Sequence, residues 1–268
     1  MNQSIINYLG NKYNETKQHI NQLDINKYDT IIEPFCGSFG FSRYVNKHYP
    51  NTERKYIFYD NSPELIDFLN HIKELVENDT INLFMEDYNN IIDDINGEYD
   101  FKYEGRRYLR KPLVKSYIDL IDCNKHLKYM LKLNILNGAF CQPSHKQRID
   151  FDIYKQSTFI NQSVNKLDLN VLNDKTLIYL DPPYIQTYCK TYDERDGNIY
   201  DSIYDIFNSK SDVFMVYVFH PLVDSFYKPF KKEEYEKIYQ TIKKIVKHII
   251  YSNFIFKSRS DTHLLHHH

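Results

Sequence analysis

Apolar residues fall into short runs in some parts of the chain and into a three-to-four-residue rhythm in others. The runs Thr30–Phe35 (TIIEPF), Tyr56–Asp60 (YIFYD), Leu177–Asp181 (LIYLD), Val213–Phe219 (VFMVYVF) and His248–Phe256 (HIIYSNFIF) are dominated by Ile, Val, Tyr and Phe. Their length and their β-branched and aromatic content predict buried sheet strands. After Asp60 the pattern changes. Leu65, Ile66, Leu69, Ile72 and Val76 recur at helical spacing, with Ser62 placed to cap the helix and Pro63 suited to its first turn. Glu233 to Lys247 repeats the rhythm through Ile238, Ile242, Ile245 and Val246 and predicts a second helix. Strand–helix–strand alternation predicts an α/β fold, a mainly parallel sheet covered by helices. Ligands of such sheets bind beyond the carboxyl ends of the strands.

Residues 72–160 lack this rhythm. They are basic, rich in Tyr and helical only in patches, which predicts an insertion between two halves of the sheet, residues 1–71 and 161–265. Net charge is −2, yet residues 101–155 carry 12 Lys+Arg against 5 Asp+Glu. A local excess of that size marks either a segment facing an anion or a solvated basic surface. With 25 Tyr, 7 Gly, no Trp and abundant Asn, Lys and Ile, the text reads as A/T-rich coding, so spacing carries more weight than residue type. Cys36, Cys123, Cys141 and Cys189 form no C-x-x-C pair and have no His at zinc-finger spacing, which predicts reduced thiols and no metal site. No basic-then-apolar leader and no apolar run of about 18 residues is present, which argues against a secreted or membrane-spanning protein.

Three strand ends carry candidate chemistry. Glu33-Pro-Phe-Cys-Gly-Ser-Phe-Gly40 leads from a strand into a predicted helix from Phe41. Gly37 and Gly40 lack Cβ atoms and would let a ligand approach the backbone, although a tight strand–helix connection needs the same residues. Asp60, with Asn61, ends the next strand about 20 residues later. A carboxylate there can accept hydrogen bonds from ribose hydroxyls or can cap the following helix. Asp181-Pro-Pro-Tyr184 ends a third strand. Two prolines stop the strand and fix an extended turn. Asp181 and the Pro182 carbonyl would accept hydrogen bonds from an NH2 group, and Tyr184 could stack on a planar ring.

In this order the motifs resemble the Dam-type, alpha-group DNA adenine-N6 methyltransferases. Tyr8-Leu-Gly-Asn-Lys12 matches their amino-terminal cofactor motif, and Phe35-Cys-Gly-Ser-Phe-Gly40 their F-x-G-x-G turn. Asp60 with Pro63-Glu-Leu-Ile66 matches the acidic residue and the helix start that follows it. A target-recognition insertion comes next, with Asn137-Gly-Ala-Phe140 and the stretch to Phe151 resembling its N-G element and hairpin. Then come Asp181-Pro-Pro-Tyr184 and a final strand like His248–Asn253. Phe39 stands where the family usually has its second Gly, with Gly40 one place later. His220-Pro221 stands where the family often has a Ser-Asn ending.

The resemblance implies a class I, Rossmann-like methyltransferase sheet with helices on both faces and an inserted helical and hairpin target-recognition region. It implies S-adenosylmethionine as cofactor, held by Tyr8, Gly10, Asn11, Lys12, Glu33, Pro34, Phe35, Cys36, Gly37, Ser38, Asp60, Asn61 and Asp181. It implies double-stranded DNA as partner, with a flipped adenine held by Asp181, Pro182, Pro183 and Tyr184. Phosphate contacts are expected from Lys102, Arg106, Arg107, Arg110, Lys111 and Lys115, and base contacts from Asn137, Gln142, His145, Lys146, Gln147 and Arg148. The expected location is the cytoplasm or wherever that DNA resides. Cytosine N4, adenine in RNA, a protein glutamine amide and an inactive DNA-binding derivative are the alternatives.

Overall fold

The computed structural model describes residues 4–7, 12–98, 107–136, 144–146, 149–184, 199–239 and 244–255. The chain forms two compact units, one of Met1–Lys12 with Glu64–Lys155 and one of Tyr13–Pro63 with Gln156–His268. In chain order the described helices are α1 (Tyr13–His19), α2 (Gly40–His48), α3 (Pro63–Glu77), α4 (Ile81–Glu98), α5 (Arg107–Leu120), α6 (Lys125–Leu131), α7 (Asp152–Lys155), α8 (Ile199–Phe207) and α9 (Pro221–Phe226). The strands are β1 (Thr30–Glu33), β2 (Lys55–Asp60), β3 (Ser157–Asn161), β4 (Thr176–Leu180), β5 (Asp212–Val218), β6 (Lys231–Tyr239) and β7 (Lys244–Ser252).

All seven strands form one sheet in the order β3-β2-β1-β4-β5-β7-β6. Pairing is parallel from β3 to β5, and β7 runs antiparallel to both its neighbours. β4 is buried along its whole length and β1 and β5 nearly so, as strands covered on both faces must be. Side chains alternate between faces along a strand. Ile178 and Leu180 face a core shared with Val213, Met215, Tyr217 and, from α8, Ile203, Ile206 and Phe207. Tyr179 faces the other way and stacks on Phe41 of α2, ring centroids 4.2 Å apart.

The five predicted strands are present, with β1 ending at Glu33 and the last lying over Lys244–Ser252. The helix predicted over Glu233–Lys247 is not; that stretch contributes to β6 and β7. In β6, Lys232, Glu234 and Glu236 are exposed while Glu233, Tyr235 and Lys237 are half-buried. The latter find polar partners. Gln22 Nε2 donates to Glu233 (2.6 Å), and Glu15 accepts from both the Tyr235 hydroxyl and Lys237 Nζ (2.7 Å each). A polar inward face gives no apolar alternation, so the sequence pattern concealed the strand. β3, a short edge strand, was not foreseen either.

The other unit is more helical than its weak rhythm suggests. α4 buries Ile81, Phe84, Met85, Tyr88, Ile91, Ile92 and Ile95, a helical stripe. A π-helical segment, Lys132–Leu136, follows α6. Its buried Asn134 accepts from the Asn7 amide (2.7 Å) and donates to the Ile5 carbonyl (2.9 Å), tying down residues 5–7.

Candidate active site

β2, β1 and β4 are parallel neighbours, so their carboxyl ends lie along one edge of the sheet. β1 ends at the buried Glu33, whose Oε1 accepts the Ser42 amide of α2 (2.8 Å). Burial pushes the Glu33 carboxyl up to about 8, and Asp181 adds to the rise; the Ser42 hydrogen bonding and Arg43 oppose it. The chain then turns through Pro34–Ser38. Gly37 (φ 46°) and Phe39 (φ 39°, ψ 48°) both take the left-handed conformation. Glycine adopts it freely, whereas a residue with a Cβ loses roughly 1–2 kcal/mol. The Phe39 ring is fully buried, with centroids 4.8 Å from Phe58 and 5.7 Å from Phe159. Burying a Phe side chain contributes roughly 1.5–3 kcal/mol, enough to offset that cost. The backbone shape that explains a glycine at this position is therefore kept with a different residue.

The turn is fastened to the end of β2. Cys36 N donates to the Tyr59 carbonyl (3.0 Å), Gly37 N to Asp60 Oδ2 (3.2 Å) and Ser62 N to Asp60 Oδ1 (3.0 Å). Asp60 thus joins the Gly turn to the start of α3. Burial raises its pKa, against the Ser62, Gly37 and Asn61 amides. The Cys36 thiol is pushed well up by burial and then by Asp60 and Glu33, which keeps it protonated and unreactive.

β4 delivers the third element. Pro182 is buried, and Asp181, Pro183 and Tyr184 are half-buried. The Pro183 carbonyl accepts from the Tyr200 hydroxyl (3.0 Å) and lies 3.3 Å from the Tyr217 hydroxyl; the two hydroxyls are 2.9 Å apart. Tyr184 meets Tyr217 edge to face, centroids 5.0 Å apart. Sequence reasoning missed Tyr200 and Tyr217, because no local pattern marks them among 25 tyrosines.

The structure thus brings together Glu33, Pro34, Phe35, Cys36, Gly37, Ser38, Asp60, Asn61 and Asp181–Tyr184 within the sheet unit. Lys12, in the other unit, is buried. There Arg107, Arg110 and Lys111 lie on α5; Lys111 is exposed, and Lys115 pairs with Asp119 (3.1 Å). His145 Nε2 is 2.7 Å from Asp93. Lys146 is buried, its Nζ donating to the Ser4 carbonyl (3.1 Å) and Asn7 Oδ1 (3.0 Å). Tyr8, Gly10, Asn11, Lys102, Arg106, Asn137, Gln142, Gln147 and Arg148 lie outside the described residues. Among the described residues no group of three or more His, Cys, Asp or Glu is arranged to hold a metal, and no helix is long and apolar enough to cross a membrane.

A sheet of this order, with a Gly turn, an acidic strand end and a proline clamp on neighbouring strands, defines a class I methyltransferase. The chain belongs to the D12 class of N6 adenine-specific DNA methyltransferases, whose family model matches residues 8–251. It is an enzyme that methylates the N6 amine of adenine in DNA. No curated protein matched the chain.

Proposed function

We propose that S-adenosylmethionine is the methyl donor and that the acceptor is an adenine flipped out of duplex DNA onto the Asp181–Tyr184 turn. The observation that carries this reading is the placement of that turn at the end of β4, beside the Gly turn that ends β1 and is hydrogen-bonded to Asp60. The residues present suit the nucleoside cofactor. Phe35 offers an apolar surface, and Gly37 lets backbone come close. An ionised carboxylate has about four acceptor positions; the Gly37, Asn61 and Ser62 amides use three at Asp60 and leave one for a ribose hydroxyl.

When bound, the cofactor supplies an electrophilic methyl group. Asp181 and the Pro182 carbonyl accept hydrogen bonds from the N6 amine, which frees its lone pair from the ring and aims it. Tyr184 stacks on the adenine. Positioning and fixed dipoles supply most of the acceleration. In the other unit, Arg107, Arg110 and Lys111 on α5 contact DNA phosphates, and residues 137–148 read bases. Lys146 serves instead to hold residues 4–7.

The direct test supplies labelled S-adenosylmethionine with duplex DNA, RNA and protein side by side, then digests the products. Label in N6-methyl-deoxyadenosine from the duplex is the expected result. Label elsewhere, or only in single-stranded DNA, overturns the reading.

A further inference from the structure

We infer that Tyr200 and Tyr217 are positioning residues for methyl transfer, a hydroxyl relay that fixes the Pro183 carbonyl and through it the Asp181–Tyr184 clamp. The inference rests on the reading of that clamp given above and adds to it residues outside the motif. Proline makes the turn stiff but cannot anchor it, because Pro182 and Pro183 have no N–H to donate. At the two prolines the carbonyls are the backbone groups that can hold the turn. Tyr200, on the first turn of α8, and Tyr217, on β5, converge on the one belonging to Pro183.

Three oxygens share two hydroxyl protons in this triangle. The contacts of 2.9 Å between the hydroxyls and 3.0 Å from Tyr200 to the carbonyl are shorter than the 3.3 Å from Tyr217 to it. Proton bookkeeping therefore favours Tyr217 donating to Tyr200 and Tyr200 donating to Pro183. A donor that itself accepts a hydrogen bond is polarised and bonds more strongly. Burial raises the Tyr200 pKa, which keeps its hydroxyl a donor across the working pH range. Tyr227 donates to the Tyr200 carbonyl (2.7 Å) and fixes that end of α8. Tyr217 also abuts Tyr184 edge-on, so one side chain orients both the ring that stacks on the base and the carbonyl beside it.

The relay makes an ordered prediction. Tyr200→Phe removes the direct bond to Pro183 and the acceptor for Tyr217. Tyr217→Phe leaves the direct bond in place. Single-turnover methyl transfer at saturating cofactor and duplex DNA should fall about tenfold in Tyr200→Phe, the kinetic equivalent of one well-placed hydrogen bond, and by less in Tyr217→Phe. Cofactor Kd should stay within about twofold of wild type by the same accounting, since Asp60 and the Gly turn are untouched. Tyr28→Phe is the control for stability. It removes another buried tyrosine hydroxyl, bonded to Asp212 (2.8 Å) at the opposite end of β5, and should lower Tm without slowing the reaction. Fluorescence of 2-aminopurine at the target position reads the flipped base directly and should drop in Tyr200→Phe. Wild-type rate in Tyr200→Phe, an equal slowing in Tyr28→Phe, a parallel loss of cofactor binding, or a larger defect in Tyr217→Phe would each overturn the relay. A wild type that methylates no duplex adenine would instead remove the reading beneath it.

Discussion

The turns that end β1 and β4 sit on adjacent strands but are built by opposite means. The β1 turn uses two left-handed residues and is stitched to β2 through its backbone amides, with Cys36 and Gly37 both donating. The β4 turn uses two prolines and is held from outside through a carbonyl and tyrosine hydroxyls. One gives close backbone approach and the other stiffness. Under the function proposed above, a cofactor nucleoside would use the first, its edges read by amides and a carboxylate. A base that must be held while a bond forms needs the second, since an error of an ångström in attack geometry is costly.

The comparison breaks most visibly at Asp181. On the stiff turn, Asp181→Ala should lower methyl transfer by roughly 100-fold or more, the scale seen when one preorganised polar group is lost from a transition state, while cofactor affinity by calorimetry stays near wild type. On the other turn the pattern should invert. Asp60→Ala should weaken S-adenosylmethionine binding roughly 10- to 100-fold, as expected for a hydrogen bond to a charged group, with a smaller loss of rate once cofactor is saturating. If both variants lose binding and rate in the same proportion, the two turns do not divide the work. The smallest effect concerns Glu33. Its carboxyl ionises near 4.5 when unfolded and about 8 when folded, so the folded state holds the proton more tightly. The stability this contributes is complete below pH 4.5 and is lost as pH rises through 8. Glu33→Gln mimics the protonated form and should flatten that decline. Thermal denaturation of both proteins across this window checks it, and parallel curves would show that Glu33 ionises normally.

Legibility followed the physics of each element. β1, β2, β4 and β5 announced themselves because strands buried on both faces must be nearly all apolar. β6 did not, because Glu15 and Gln22 satisfy its polar inward residues, and those partners lie some two hundred positions away. The Asp181–Tyr184 turn and Asp60 were readable from spacing, since both follow strand ends. The Asp60 carboxyl joins two loops at once, which its position at a strand end did not reveal. Phe39 looked like a departure from a glycine motif, and only its φ of 39° shows that the backbone had not departed. Tyr200 and Tyr217 act through tertiary contact with Pro183, for which the sequence carries no local signal.

The strand order also governs how the chain assembles as it is made. β1 and β2 emerge early and can pair, yet Thr30 must wait for Thr176 and Tyr56 for Ser157. Until then both edges of this two-stranded ribbon carry unpaired N–H and C=O groups, the kind of template on which neighbouring chains join. The residues from Glu64 to Lys155, by contrast, belong to the other unit and emerge in one stretch between β2 and β3. During synthesis they delay closure of the sheet, so the ribbon of β1 and β2 keeps both edges open to misassembly until β3 and β4 are made.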